Sequence, residues 1–466
     1  MKLKDIGEVC SFNVQEDNKI EFLTYDSRKV KENSLFFAIK GHSVDGNVFV
    51  KDLLRRYKNI YVLSEKEHND ARCFKVFDVK ECMGRVSSAF FKEPSKKIDV
   101  VGITGTNGKT TTTYLLRSIF KDSEIMGTTG YTIGDRLYKL NNTTPESLDI
   151  HKILSEMVRC GSKKCFMEIS SHAITLNRIA GVDFKLKVFT NISQDHLDYY
   201  KTMDNYAKAK LSFFEKSDKK VVNIDDNYAK NIVDNNSITY GFFDNADIYP
   251  KRYDFGIDGI EMDLSVFGKT VYIKSNLIGK YNIYNIMCAV GVATFFNKDL
   301  KEIENGIRNF KNTPGRLEFF KKDGMYAVVD YAHTDDAMEN VLSTLKQIKK
   351  GRLIVVFGAG GDRDKSKRPK MGKVADELAD IVVVTSDNPR SEDPDAIIGD
   401  ILNGINRKRD IFVEKDREKA IISALDMANK NDIVAILGKG HEDYQILNNK
   451  TIHFDDREVI RKHWKV

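Results

Sequence analysis

Apolar positions along the chain cluster in short runs, such as Ser34-Leu35-Phe36-Phe37-Ala38-Ile39 and Asn59-Ile60-Tyr61-Val62-Leu63, separated by polar stretches of helical character. Short apolar runs bounded by turn residues predict buried strands, so the N-terminal region reads as a small α/β unit. Near Glu93-Pro94-Ser95 the pattern turns polar. The β-branched run Val100-Val101-Gly102-Ile103-Thr104 then opens a new core strand, which places a boundary between residues 97 and 98. Further strand candidates follow at Lys164-Cys165-Phe166-Met167-Glu168, Leu186-Lys187-Val188-Phe189-Thr190 and Val221-Val222-Asn223-Ile224, with helix-length segments between them. That alternation predicts a mostly parallel sheet covered by helices. Asp258 to Leu277 alternates at period two instead, as antiparallel strands do. After the turn-rich Asn312-Thr313-Pro314-Gly315-Arg316, the runs Tyr326–Asp330, Leu353–Phe357, Ile381–Thr385 and Ile433–Leu437 predict another doubly wound unit. The reading is an α/β chain of three domains, 1–97, 98–312 and 313–466, without internal repeats or low-complexity tracts.

Composition narrows the function. The 466 residues are 41% hydrophobic and 30% charged, the balance of a folded soluble protein. The net charge of +6 comes from 74 basic and 68 acidic residues spread along the whole chain, not from a concentrated stripe. No nucleic-acid partner is expected, and an anionic small substrate suits the charge equally well. No apolar run reaches membrane-spanning length, and Met1-Lys2-Leu3-Lys4-Asp5-Ile6 lacks the pattern of a secretory signal, so a cytoplasmic location without membrane contact is expected. The six cysteines form no C-x-x-C pair and read as reduced thiols, mostly buried.

The strand ending at Thr104 runs into Gly105-Thr106-Asn107-Gly108-Lys109-Thr110-Thr111-Thr112, and Tyr114–Phe120 continues as an amphipathic helix. Strand, glycine loop, Lys-Thr and helix make a phosphate-binding loop. Backbone N–H groups crowd the phosphate oxygens, the helix N-terminus adds partial positive charge, Lys109 supplies a point charge, and the Thr110 hydroxyl can ligate magnesium. The spacing is G-x-x-G-K-T, with Ile103 where the general pattern has its first glycine.

Glu168 ends one predicted strand, and Thr190-Asn191-Ile192-Ser193-Gln194-Asp195-His196 follows another. Ligands bind at the carboxyl ends of parallel strands, where a carboxylate and a neutral imidazole could complete the shell of magnesium on a γ-phosphate. Taken singly, Glu168 reads equally as a capping carboxylate and His196 as an ordinary loop histidine. His172 reads as a residue that orients its loop. Lys208 and Lys210, on a helix around Tyr206–Phe214, read as solvated surface lysines.

These segments together resemble the Mur ligase family. The resemblance rests on the loop at 105–112, Met167-Glu168-Ile169-Ser170-Ser171-His172, Thr190–Asp198, Tyr206-x-x-Ala209-Lys210, Gly279-Lys280-Tyr281-Asn282-x-x-Asn285, Pro314-Gly315-Arg316-Leu317-Glu318 and Asp330-Tyr331-Ala332-His333-Thr334. They keep family order from residue 24 to 445. Thr24–Val30, Gly41-His42-Ser43-Val44-Asp45-Gly46 and Asn142-Thr143-Thr144-Pro145 are similar to the members that add the third residue to a UDP-N-acetylmuramoyl-dipeptide. The resemblance implies an N-terminal uridine-nucleotide domain, a central ATPase domain and a C-terminal Rossmann-like domain. It implies that Ser27 holds the uridine diphosphate, and that Thr143, Thr144, Ser170 and Arg178 hold the muramoyl-dipeptide. The family often has a polar contact residue where this chain has Leu176. Gly105 to Thr111, Asn282, Arg316, Asp330 and His333 would bind ATP. Thr110 and Glu168 would serve one magnesium ion, and His196 a second together with Lys210, which the resemblance implies is carbamylated. Lys109, Lys210, His196 and Glu168 form the implied catalytic set.

In the last domain Gly360-Gly361-Asp362-Arg363, Asp387-Asn388-Pro389-Arg390 and Gly438-Lys439-Gly440-His441-Glu442 correspond to the family's loops for the incoming amino acid. Asp-Asn-Pro-Arg resembles the form that takes meso-diaminopimelate, because a guanidinium meets a distal carboxylate bidentately and would repel the distal amine of lysine. Arg363 and Arg390 would grip the two ends of the diamino acid, and Glu442 would receive an ammonium. meso-Lanthionine presents the same charges. The implied reaction is ligation through an acyl phosphate in peptidoglycan synthesis, by a monomer whose last domain closes on the site. Alternatives are a lysine-adding family member, a folylpolyglutamate synthetase-like ligase, and, from another class, a P-loop switch or motor protein.

Overall fold

The computed structural model describes the chain except residues 15–17, 42–43, 216–218, 312, 314, 407–409 and 449, and at Asp198 the backbone alone. His42, Ser43, Asn312 and Pro314 of the sequence motifs thus lie outside the described residues, as does the side chain of Asp198. The chain forms two compact units, Met1–Ala246 with Cys288–Lys298, and Asp247–Met287 with Asp299–Val466.

The first unit holds two sheets. Strands Phe22–Thr24, Ser34–Phe37, Tyr61–Ser64 and Cys73–Lys75 pair in parallel in chain order. The second sheet is centred on Asp99–Thr104, which lies between Phe184–Phe189 and Lys164–Ile169, both parallel to it. Lys220–Asn223 and Ser237–Tyr240 extend it on one side. On the other side Ser123–Gly127 adds in parallel, followed by the antiparallel strands Gly130–Ile133 and Arg136–Tyr138. The central strand is buried from Val100 to Thr104, and apolar up to Ile103, because both its faces are covered, as continuous runs in parallel sheets require. After it the chain first adds Ser123–Gly127 and Lys164–Ile169 on one side and then Phe184–Phe189 and Lys220–Asn223 on the other, and the crevice at the carboxyl end of such a reversal is where these sheets take ligands. The boundary at 97/98 falls inside this unit, where Asn177 Nδ2 donates to Asp78 Oδ2 at 2.6 Å and a Cβ on Gly84 would lie 2.4 Å from the Ala180 carbonyl oxygen.

In the second unit the expected antiparallel segment is a meander, Ile248–Gly256, Gly259–Val266 and Lys269–Ser275. A six-stranded sheet follows in the order Glu318–Lys322, Met325–Asp330, Ile433–Leu437, Leu353–Phe357, Ile381–Val384, Ile411–Val413, parallel except for its first pair. Successive residues alternate between two cores. Leu353, Val355 and Phe357 pack with Met338, Leu342 and Met371 on one face, while Ile354 and Val356 pack with Ile421, Leu425 and Trp464 on the other. Each such side chain contributes roughly 1.5–3 kcal/mol by leaving water. The strand ends are thereby held as a rigid platform for the loops that follow them.

Candidate active site

The loop between strand Asp99–Thr104 and helix Lys109–Ile119 is shaped by two glycines. Gly105 sits at φ 151, and a Cβ there would lie 1.8 Å from Thr190 Oγ1. Gly108 caps the helix at φ 88 with no side chain accepting from the first turn. Without a capping side chain in front of it, the helix N-terminus presents its partial positive charge to the loop, a setting that suits an anion. The loop is pinned from the neighbouring strand. Thr106 N donates to Asn191 O at 2.8 Å, Asn107 N to Asn191 Oδ1 at 2.9 Å, and Thr190 Oγ1 to Asn107 O at 2.7 Å. Lys109 Nζ curls back to the carbonyl oxygens of Gly105 and Thr106, both at 2.8 Å.

Glu168, 1% exposed, lies beside this loop. Thr110 Oγ1 donates to its Oε2 at 2.9 Å, Thr128 Oγ1 to the same oxygen at 3.0 Å, and Thr128 N to Oε1 at 3.0 Å. A Cβ on Gly127 would stand 2.1 Å from Oε1, so the carboxylate needs that bare backbone. Thr128 Oγ1 is also 3.2 Å from Thr143 Oγ1, and Thr144 Oγ1 donates to the Glu168 carbonyl at 2.8 Å. Ser170 N donates to Thr144 Oγ1 at 3.0 Å, and Arg178 Nη1 to Thr144 O at 3.2 Å. Four residues read from the sequence as one substrate site, Thr143, Thr144, Ser170 and Arg178, are thus linked to the phosphate loop through Glu168 and Thr128. Arg178 is also ion-paired to Glu146, Nε to Oε1 at 2.9 Å. Leu176 ends the short helix Ser171–Thr175 and offers no polar contact. Ser27 begins a 3-10 turn capped by Asp26 in the N-terminal sheet region. Thr128 and Glu146 were not singled out in the sequence, since nothing in their local pattern marks them.

His196 takes φ 53 ahead of helix Leu197–Tyr200, its ring 4.8 Å from that of His172 and its Nε2 3.3 Å from Asp195 Oδ2. Burial lowers its pKa, and the nearby His172, Lys210 and Lys109 lower it further against the opposing pull of Asp195. A neutral imidazole is the form that binds metal.

Lys210 overturns its reading as a surface lysine. Lys208, two positions earlier on helix Met203–Leu211, is exposed, whereas Lys210 is 2% exposed and donates to Gly105 O at 2.9 Å. Burial, with Lys109 adding repulsion, drives its pKa well below that of a free lysine. The helix turns the two side chains to different faces, which a sequence window this polar does not reveal.

The donor set fits magnesium. The Thr110 hydroxyl and the Glu168 carboxylate are hard oxygen donors 2.9 Å apart, of the type magnesium takes, and a carbamate on Lys210 would supply an anionic oxygen beside His196 for a second ion. Among the described residues no cluster of three His, Cys, Asp or Glu is placed to hold a metal.

In the second unit, Asp330 ends its strand buried, accepting from Leu317 N and Ala332 N at 2.8 Å each, and burial raises its pKa against the pull of Arg316. The Arg316 guanidinium lies 5.0 Å over the Tyr331 ring, and His333 Nδ1 is 2.8 Å from Tyr331 O. Asn282 is buried, donating to Ile278 O at 2.8 Å and accepting from Asn285.

The loops expected from the sequence to receive the amino acid meet at the carboxyl ends of strands Ile381–Val384 and Ile433–Leu437. Asn388 Nδ2 donates to Glu442 Oε2 at 3.1 Å, and Tyr444 OH to Oε1 at 3.3 Å. Pro389 is followed by Arg390 at φ 54, whose Nη1 donates to Gly361 O at 2.7 Å. Arg363 is exposed beside Gly360, and Gly438 places its backbone close to Asp387 Oδ2. Beneath them, fully buried Arg417 pairs with Asp456 at 2.7 Å and donates to Ser386 O and Leu437 O, the carbonyls just before the two loops. Neither Arg417 nor Asp456 was legible in sequence as part of a site.

A P-loop, a buried carboxylate on its threonine and a Rossmann-like sheet carrying charged loops define a nucleotide-dependent α/β enzyme. Family models agree. The Mur ligase family catalytic domain matches residues 19–102, the Mur ligase middle domain 103–293, and the Mur ligase glutamate ligase domain 315–440. The chain belongs to the Mur ligase family. It is 42% identical to the UDP-N-acetylmuramoyl-L-alanyl-D-glutamate–2,6-diaminopimelate ligase of Clostridium botulinum, covering 97% of this chain and 96% of that protein. The Aquifex aeolicus protein of the same name is 41% identical, over 95% of this chain and 93% of that one. A solved structure of such a ligase aligns at TM-score 0.73 and 31% identity, covering 99% of this chain and 98% of the other. Folylpolyglutamate synthase from Mycobacterium tuberculosis, complexed with ADP and AMPPCP, shares the fold at TM-score 0.64 and 16% identity, over 77% of this chain and 92% of that one.

Proposed function

We propose that this chain adds meso-diaminopimelate, or a close analogue such as meso-lanthionine, to UDP-N-acetylmuramoyl-L-alanyl-D-glutamate at the expense of ATP, within cytoplasmic peptidoglycan synthesis. The observation that carries this reading is the hydrogen-bonded chain Thr110–Glu168–Thr128–Thr143, which links the phosphate loop to the residues assigned to the dipeptide. The domain division at 97/98 and 312/313 belongs to the same proposal.

The acceptor carboxylate attacks the γ-phosphorus, the bond to the β-phosphate oxygen breaks, and ADP leaves an acyl phosphate. The amine of the diamino acid then adds to the carbonyl carbon, loses a proton, and the tetrahedral intermediate expels inorganic phosphate. Lys109 and the positive N-terminal end of helix Lys109–Ile119 neutralise charge on the transferring phosphoryl group. Asn282, Arg316, Asp330 and His333 hold the nucleotide. Thr143, Thr144, Ser170 and Arg178 hold the dipeptide so that its carboxylate faces the phosphate, and Ser27 holds the uridine diphosphate. Thr110 and Glu168 would hold one magnesium ion and His196 with carbamylated Lys210 a second, and the ions would supply charge neutralisation for phosphoryl transfer. The neutral amine of Lys210 can add carbon dioxide, releasing one proton. Arg363, Arg390, Asp387, Asn388 and Glu442 orient the diamino acid.

Phosphate release measured with the muramoyl-dipeptide, ATP and a panel of amino acids tests the reading. Release is expected with meso-diaminopimelate and meso-lanthionine. Turnover with lysine alone would establish the lysine-adding alternative, and turnover of a pteroylglutamate with glutamate the folate one. ATP hydrolysis indifferent to both cosubstrates would point to a P-loop switch.

A further inference from the structure

The loops after strands Ile381–Val384 and Ile433–Leu437 are tied together by one buried side chain. Lys439 is 0% exposed. Its Nζ lies 3.3 Å from Glu442 Oε2, 3.4 Å from Asn388 Oδ1 and 3.7 Å from Asp387 Oδ1, with the Tyr444 ring centroid at 5.3 Å. Three oxygen atoms thus face the three protons of one ammonium. Asp387 Oδ1 is buried without a hydrogen bond, so the lysine charge is what compensates it. Two carboxyl groups and one ammonium leave the cluster with a single formal negative charge.

We propose that Lys439 is a specificity-determining residue of the amino-acid site, whose buried charge offsets one of the two carboxylates Asp387 and Glu442. The remaining charge accommodates one ammonium whose own carboxylate is met by Arg390, and disfavours a side chain ending in an ammonium alone. This rests on the reading that these loops bind the incoming amino acid. The distal centre of meso-diaminopimelate carries an ammonium and a carboxylate and is neutral overall, so a change of one unit in the local charge alters its binding little through charge alone. The distal end of lysine carries a full positive charge and responds directly. Lys439 also holds Glu442 and Asn388 in one arrangement, so its loss loosens the site for every diamino acid.

Lys439→Met should therefore lower kcat/KM for meso-diaminopimelate roughly 10–100-fold, mainly through KM. Lysine should fall less or rise, narrowing the meso-diaminopimelate to lysine ratio about tenfold or more. Lys439→Gln, which keeps a donor without the charge, should narrow the ratio with a smaller loss for meso-diaminopimelate, and it is the variant to read if Lys439→Met does not fold. KM for ATP and the muramoyl-dipeptide should stay unchanged. Where wild-type turnover with lysine is undetectable, its appearance in either variant counts as narrowing. An unchanged ratio, with all diamino acids losing the same factor, overturns the specificity role and leaves Lys439 a structural tie. Glu442→Gln and Arg390→Ala serve as the reference. If neither raises KM for the diamino acid, the loops do not bind it, and both readings fall together.

Discussion

Lys109 and Lys210 donate to the same carbonyl oxygen, that of Gly105, at 2.8 and 2.9 Å. Two ammonium groups at one acceptor repel each other, and burial of Lys210 together with the Lys109 charge holds its pKa well below that of a free lysine. Carbon dioxide adds to the neutral amine, the form that this lowering favours, and that supports the proposed carbamylation of Lys210.

Replacing Lys210 with Ala should lower kcat by roughly 100-fold or more, with partial rescue by a short-chain carboxylate that restores the missing anion. Wild-type enzyme equilibrated with carbon-13-labelled bicarbonate should show a carbamate carbon resonance that is absent from the variant. Full activity in Lys210→Ala, or no such resonance in active enzyme, would remove the carbamate.

Lys109→Ala and His196→Ala should each reduce ligation by roughly 100-fold to 1,000-fold while leaving circular dichroism and thermal melting close to wild type. Both side chains are proposed to serve the phosphate end of the reaction, and neither is part of a core cluster. Near wild-type turnover in either variant would refute the assignment of the phosphate and metal residues.

Arg390→Ala should cost about 2–4 kcal/mol of transition-state stabilisation, because a charge-assisted bidentate contact disappears and the substrate carboxylate is left poorly paired. That is roughly 30-fold to 1,000-fold in kcat/KM for meso-diaminopimelate, with KM for the muramoyl-dipeptide little changed. Lysine should gain slightly or not at all. Since Arg390 Nη1 already holds Gly361 O at 2.7 Å, equal losses for meso-diaminopimelate, meso-lanthionine and lysine would show that it shapes the loop instead of reading the carboxylate.

His151 tests stability against pH. It is 0% exposed on helix Ser147–Arg159, its Nε2 3.1 Å from Ala180 O, and burial pushes its pKa from 6.5 down to about 4. The unfolded chain takes a proton below pH 6.5, while the folded chain resists it until about pH 4. Stability is therefore fully present above 6.5 and lost as pH falls between those values, by up to about 3 kcal/mol from this residue. His151→Gln should flatten that part of the profile. Denaturant midpoints at pH 7.5 and 5 that shift equally in both proteins would show that His151 does not couple folding to protons.

The sequence by itself determined the α/β class, the order of strands and helices, the phosphate loop and the family. Those features are local: a run such as Leu353–Phe357 is apolar at every position because both sheet faces bury it, and Gly105 and Gly108 sit where only glycine suits the loop. What the sequence could not decide is which polar side chains face inward. Lys208 and Lys210 stand in the same polar stretch, yet the turn of one helix exposes the first and places the second against Gly105. Thr128 meets Glu168 forty residues away, and Arg417 underpins loops from two other strands with Asp456 as its partner. Only the tertiary structure decided these, because burial of a charge is set by what the rest of the chain packs around it, and that packing has no signature in the residue's own neighbours.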